Sequence, residues 1–220
     1  MYRVICLLLG YVFGNFLTAE IVSRRTFGKS SFDRGTGNPG MANIVNQDGV
    51  KYGAIVLLGD LLKTFIPCLL CRTVLFSEQG TTAAAYAGLG VILGHNFPFW
   101  HKFKGGKGVS CTCAALVSIS FGYGLLACVV GLLAVVASHY LPIGAVLIPA
   151  VFLIPAFLFY GPEVGILTVI MTLMMLQRHL PGLKNIRTGT EPKKDLLKKW
   201  KHTKYEKILG HAGINAALVV

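Results

Sequence analysis

Two short glycine-rich stretches carry most of the polar chemistry in this 220-residue chain. The first is Gly35-Thr-Gly-Asn-Pro-Gly40, inside "DRGTGNPGMANIV". The second is Gly105-Gly-Lys-Gly108, near the end of "GHNFPFWHKFKGGKGV". Glycine permits left-handed backbone and close approach of a ligand. Successive free N–H groups form an anion-binding nest, above all where a loop runs into a helix N-terminus. Lys104 and Lys107 stand beside the second stretch and supply countercharge. Two such loops with several cations suggest a site for more than one phosphate. A lone G-x-G-N-P-G is more often a tight turn, and lysines at a membrane edge are usually topology signals. Gly105–Gly108 lacks the spacing and preceding strand of a nucleotide P-loop, so nucleotide binding is not indicated.

The elements that must position these loops are apolar. Hydrophobic residues make up 54% of the chain and charged residues only 14%, and mean hydropathy is +0.63. That composition is an integral membrane protein's, not a soluble domain's. A helix needs roughly 20 apolar residues to cross a bilayer. Met1–Val22, read as a retained span rather than a signal peptide, Gly53–Phe76 and Thr82–Trp100 meet that length. Val109–Tyr160 holds about three more, broken at Phe121-Gly-Tyr-Gly124 and at Ser138–Pro142. Gly161-Pro162 then precedes Val164–Leu176. The expectation is an all-α polytopic protein with about seven spans, or five if two middle segments merge or re-enter.

Of the 21 Lys and Arg residues, all but Arg3, Lys63 and Arg72 fall in the segments after the first, third and last spans. The positive-inside rule puts those segments and the C-terminus in the cytosol and the N-terminus outside. It also accounts for the net charge of +12, so no nucleic-acid partner is expected. The six cysteines lie in or near apolar runs and read as small buried hydrophobes, with neither a disulfide framework nor a zinc site. No metal cluster or cofactor pattern is visible.

Taken together and in order, "GTGNPGMAN", "GDLLK", "LGHNFPFWHKFKGGKGV" and "GTE" resemble the bacterial acyl-phosphate:glycerol-3-phosphate acyltransferases, the PlsY type. The resemblance runs from the first span to about Glu191. It implies a seven-helix inner-membrane enzyme with three cytosolic motifs, moving a fatty acyl group from acyl phosphate to glycerol-3-phosphate to give lysophosphatidic acid and phosphate. It also implies a phosphate-binding loop made by Thr36, Gly37, Asn38, Gly40 and Asn43. His95, Asn96 and Lys104 match catalytic positions of the second motif, with Gly105, Gly106, Lys107 and Gly108 as its phosphate loop. His179 and Glu191 match the third, and Asp60 with Lys63 matches a supporting D-x-x-K ion pair.

The chain departs from the family where Asn46 replaces an arginine. It departs again where His179-Leu-Pro-Gly-Leu183 replaces H-R-x-N-I, with Asn185-Ile-Arg187 three residues later. Acyl phosphate is already activated, so alignment and stabilisation of the leaving phosphate suffice. Direct attack in a ternary complex is the expected course. The hydroxyl proton goes to His95 or to the donor's own phosphate. The alternatives are a divergent paralogue acylating another acceptor and a transporter of a phosphorylated solute. Against transport, the polar motifs share one side, without an inverted repeat. Residues 1–191 read as the membrane acyltransferase domain and 192–220 as a basic extension. In that extension Lys193–Lys207 has the pattern of an amphipathic surface helix, with Leu196, Leu197 and Trp200 on one side.

Overall fold

The computed structural model describes residues 1–194. They form helices joined by short loops, with no strand among the described residues. Four helical stretches are long and apolar enough to cross a membrane: Tyr2–Phe27, Val50–Leu75, Phe121–Ser138 and Leu141–Arg187. Leu8, Val12, Leu58, Leu132, Leu158 and Leu173 point outward and are exposed. Such an apolar surface is a liability in water and the solvated face in lipid.

The first expected span is two helices, α1 (Tyr2–Gly14) and α2 (Thr18–Phe27). Asn15 sits at the break, where its Nδ2 donates to Tyr11 O (2.6 Å) and its Oδ1 accepts the Phe99 N–H (2.9 Å). A short helix α3 (Met41–Asp48) precedes α4 (Val50–Leu70), whose end loosens into a π-turn over Cys71–Leu75. There Arg72 donates to the Ser118 and Ile119 carbonyls, which satisfies acceptors left open at a helix C-terminus.

Helix α5 (Gly80–Asn96) packs on α1 through small residues spaced four apart. A Cβ at Gly10 or Gly14 would enter the α5 backbone, and one at Gly90 or Gly94 the α1 backbone. Small-xxx-small faces allow helices in lipid this close approach. It anchors the first half of the second motif, because α5 ends at His95 and Asn96 and α1 leads into Asn15, which accepts the Phe99 N–H. Helix α6 (Val109–Ile119) has 11 residues, about 16 Å of rise. It is buried at Cys111, Ala114, Ala115, Leu116 and Ile119, at the centre of the bundle.

Helices α7 (Phe121–Ser138) and α8 (Leu141–Arg187) complete the bundle. The 47 residues of α8 would reach about 70 Å unbroken, more than twice a bilayer core. Gly161 (φ 84°, ψ 171°) divides it into two halves. Pro162 opens the second half, where a missing N–H costs little. That half runs on to Arg187, past the Leu176 expected from the sequence, so the third motif begins on a helix. The described chain ends with the Lys194 N–H on His139 O (2.7 Å). The expected amphipathic helix, with Leu196, Leu197 and Trp200, lies outside the described residues.

Candidate active site

The first glycine loop is shaped by side chains close to it in sequence. The buried Glu20 carboxylate on α2 accepts the Ser31 N–H (2.7 Å), the Ser31 hydroxyl (2.5 Å) and the Ser30 hydroxyl (2.9 Å), with Arg24 on its outer side. Arg34 makes a two-pronged pair with Asp48 (3.0 and 2.5 Å) and lies over the Phe27 ring. Asn43 is buried on the first turn of α3. Its Oδ1 accepts the Thr36 N–H (2.9 Å), and its Nδ2 donates to Arg34 O (3.0 Å) and Ser31 O (3.3 Å). Asn43 therefore pins the loop from below and turns no amide atom outward. Thr36 stays exposed and Asn38 half-buried. Gly37 takes φ +67°, where a Cβ would also press on Phe32 O. Gly40 is extended at φ −151°, a conformation open to any residue.

Side chains far away in sequence shape the second loop. After α5 the chain makes one 3-10 turn (Phe99–His101), passes Lys102 and Phe103 at positive φ, and enters α6 through Gly105–Gly108. The Gly106 N–H donates to His95 O (3.0 Å). From α8, Arg178 gathers the carbonyls. Its Nε donates to Gly106 O (3.0 Å), and one terminal nitrogen donates to Asn96 O (2.6 Å) and Gly105 O (3.0 Å). Its guanidinium also stacks over Phe97, 5.0 Å from the ring centre. With carbonyls held by Arg178, the Lys107 and Gly108 N–H groups have no partner among the described residues. A Cβ on Gly106 would overlap the His95 imidazole, so the loop lies directly on that ring.

Beneath the loop lies a buried polar cluster. Lys63 Nζ is 2.9 Å from Asp60 Oδ1, 2.8 Å from His95 Nδ1 and 2.7 Å from Phe16 O. The Thr18 hydroxyl donates to the same Asp60 oxygen (3.2 Å). Asp60, His95 and Cys111 offer three metal-ligating atoms within 4.8 Å of one another. The Lys63 ammonium bonds both Asp60 and His95 and supplies positive charge there. Both amide atoms of Asn96 and the Thr112 hydroxyl are sealed from solvent without a partner among the described residues. Unpaired buried polar atoms of this kind are rare.

The three motifs meet at a cavity of about 250 Å³ lined by Asn38, Gly105, Lys107, Gln177, Arg178 and Pro181. Burial pushes the Lys107 ammonium below the usual lysine range; the Glu191 carboxylate opposes that shift and Arg178 adds to it. Glu191 rests against Gly182 and accepts from Asn185 Nδ2 (3.3 Å). His179 is buried, and its Nδ1 bonds Met175 O (3.0 Å). Lys104 is exposed and outside the cavity lining. Sequence reasoning missed Arg178, which it counted among the topology charges. Its one signal was a cation next to His179 at the end of an apolar run.

Fold and site together define an integral membrane protein with a cavity lined by Lys107, Arg178 and glycine-loop residues at one end of its helices. The chain belongs to the glycerol-3-phosphate acyltransferase family, whose model matches residues 4–189. It is 36% identical to glycerol-3-phosphate acyltransferase 1 of Lactobacillus johnsonii, over 90% of this chain and 95% of that one. It is 34% identical to glycerol-3-phosphate acyltransferase of Alkaliphilus metalliredigens, over 88% and 96%. Its fold matches the glycerol 3-phosphate form of PlsY (YgiH), an integral membrane glycerol 3-phosphate acyltransferase. That match has a TM-score of 0.81 at 24% identity, over 91% of this chain and 99% of that one. The lysophosphatidic acid form of PlsY matches with a TM-score of 0.77 at 25% identity, over 88% and 95%.

Proposed function

We propose that this chain transfers a fatty acyl group from acyl phosphate to the hydroxyl of glycerol-3-phosphate, releasing lysophosphatidic acid and phosphate. The observation that carries this reading is the convergence of two glycine loops, Lys107 and Arg178 on one cavity, in a chain of this family. The first loop is assigned to the acceptor's phosphate, through the Thr36 hydroxyl and the Asn38 amide, with Gly37 and Gly40, whose N–H groups are tied to Arg34 O and Asn38 O, shaping its turn and Asn43 as its support. The second is assigned to the donor's phosphate. Its free Lys107 and Gly108 N–H groups and the Lys107 ammonium are donors suited to charge that grows on a leaving phosphate. Lys104 adds charge at the rim, and Glu191 steadies Lys107. No cofactor or metal enters the reaction.

The membrane arrangement belongs to the same reading. Seven passes (α1–α2, α4, α5, α6, α7 and the two halves of α8) place both loops and Glu191 at the cytosolic end. Arg3, Arg72 and Gly161 then mark the outer end of the bundle. The alternation agrees with the parallel course of α1 and α5 and with the bias of basic residues. The N-terminus is outside, the C-terminus is cytosolic, and the membrane is the bacterial plasma membrane. Residues 1–191 carry the chemistry, and residues 192–220 dock on its anionic leaflet.

Purified protein in detergent, given palmitoyl phosphate and glycerol-3-phosphate, should form lysophosphatidic acid and phosphate in equal amounts. Product only with a different acceptor would mark a divergent paralogue. Uptake of labelled glycerol-3-phosphate into vesicles without acylation would mark a transporter.

A further inference from the structure

The three contacts of Lys63 determine more than an ion pair. Its acceptors are Phe16 O, Asp60 Oδ1 and His95 Nδ1, at 2.7, 2.9 and 2.8 Å. A carbonyl and a carboxylate can only accept from it. An ammonium has three N–H donors and no lone pair, so the charged lysine satisfies all three acceptors at once. The alternative, a neutral amine accepting a proton from His95 Nδ1, would leave the Asp60 carboxylate buried without its cation, which is strongly unfavourable. His95 Nδ1 is therefore an acceptor, and the ring proton sits on Nε2. That nitrogen lies against Gly106 and has no hydrogen-bond partner among the described residues.

We infer that Lys63 is a positioning residue that fixes the tautomer of His95, so that the imidazole presents an Nε2–H donor to the second glycine loop and cannot serve there as the general base. The other buried site histidine is set the opposite way. The Nδ1 of His179 faces the Met175 carbonyl and must carry the proton, which leaves its Nε2 bare in the neutral ring. Two histidines in one site thus have opposite hydrogen-bonding polarity, one set by a lysine and one by a backbone carbonyl. The catalytic consequence for His95 rests on the proposed acyl transfer. The tautomer itself does not.

The test separates the two. Protein labelled with 15N-histidine, in micelles, is examined by two-bond proton–nitrogen correlation, with the His95 signals assigned by their loss in His95→Gln. The wild-type chain should show His95 protonated at Nε2 only and His179 at Nδ1 only. Protonated Nδ1 on His95, or a doubly protonated ring, overturns the inference whether or not the chain acylates anything. Activity gives the second arm. A glutamine amide can donate from near the Nε2 position but cannot take a proton. His95→Gln should therefore keep kcat within about tenfold of wild type, while His95→Asn, too short to reach, should lose about a hundredfold. Equal, near-complete losses in both variants, with thermal stability unchanged, would restore the base role. Lys63→Met combined with Asp60→Asn, which removes the pair without stranding a charge, should let both His95 tautomers appear. An unchanged His95 spectrum in that double variant would mean that Lys63 does not set the tautomer.

Discussion

The two glycine loops reach a similar result by opposite means. The first is braced by neighbours: Glu20, Asp48 and Asn43 lie within 14 positions of the loop residues they hold. The second is braced from a distance, by Arg178 across 72 to 82 positions and by His95 beneath. A locally braced loop can form its shape once its own segment folds. A remotely braced loop exists only when the whole bundle is packed, so its donors appear only in the assembled protein. The first arrangement suits a loop that grips one substrate, and the second suits a loop that must hold fixed donors at the reacting centre.

The largest effect should come from breaking the remote brace. Arg178→Leu removes hydrogen bonds to two loop carbonyls and to Asn96 O at the end of α5, and Gly106→Ala drives a methyl into the His95 ring. Each should lower kcat/KM by about a hundredfold or more, since a charged hydrogen bond is worth roughly 1.5–3 kcal/mol. Arg178→Lys should recover little, because a single ammonium cannot reproduce the planar fork. Thermal-shift measurement in detergent should show all three folded. Activity close to wild type in Gly106→Ala would end the distinction between the loops.

A smaller effect belongs to the local brace. Gly37→Ala must hold φ +67° against its new Cβ. It should cost about tenfold, mainly as a higher KM for glycerol-3-phosphate, in line with 1–2 kcal/mol for left-handed strain. Gly40→Ala should cost less than Gly37→Ala, because its backbone is extended and its Cβ only displaces the Asn38 amide, one of the assigned phosphate donors. If Gly40→Ala fails as badly as Gly37→Ala, the substrate rather than the backbone sets the demand at this loop.

Lys107 sharpens the comparison through pH. Its ammonium form is the one that attracts phosphate, and burial lowers its pKa. As pH rises, that attraction is lost earlier than for an ordinary exposed lysine. The alkaline limb of kcat/KM should therefore begin below the usual lysine range. Lys107→Arg, whose charge persists far above pH 10, should move that limb upward even if the peak rate falls. An unmoved limb would assign it to another group. The smallest effect should be truncation after Pro192: kcat unchanged, apparent KM raised in anionic vesicles at low salt, and no change in neutral detergent. Equal behaviour of both forms in both settings would reduce the extension to a topology signal.

What the sequence made legible follows the same division. The helical class, the apolar stretches and the first loop depend on composition and short spacings, and each could be read from consecutive residues. The break in the first span could not: Asn15 keeps helical backbone, the chain turns extended only at Leu17, and the contact beside the break is to Phe99, 84 positions away. The end of the last helix was misplaced because the apolar run gives out at Gln177 and Arg178, whereas the helix continues past them through Pro181 and Gly182. In a packed bundle such residues are tolerated inside a helix. Arg178 resembled a topology charge because its three carbonyl partners belong to another element. Asp60 and Lys63 were legible as a pair, but their link to His95 needed α4 and α5 side by side.

The most direct test is equilibrium binding of glycerol-3-phosphate, without donor, to wild type, Gly37→Ala and Gly106→Ala in one detergent. The first-loop variant should bind about tenfold more weakly, from the same left-handed strain. The second-loop variant, though nearly inactive, should bind within about twofold of wild type, because its lesion lies in the donor's half of the site. Equal weakening in both variants would contradict the assignment of one loop to each phosphate.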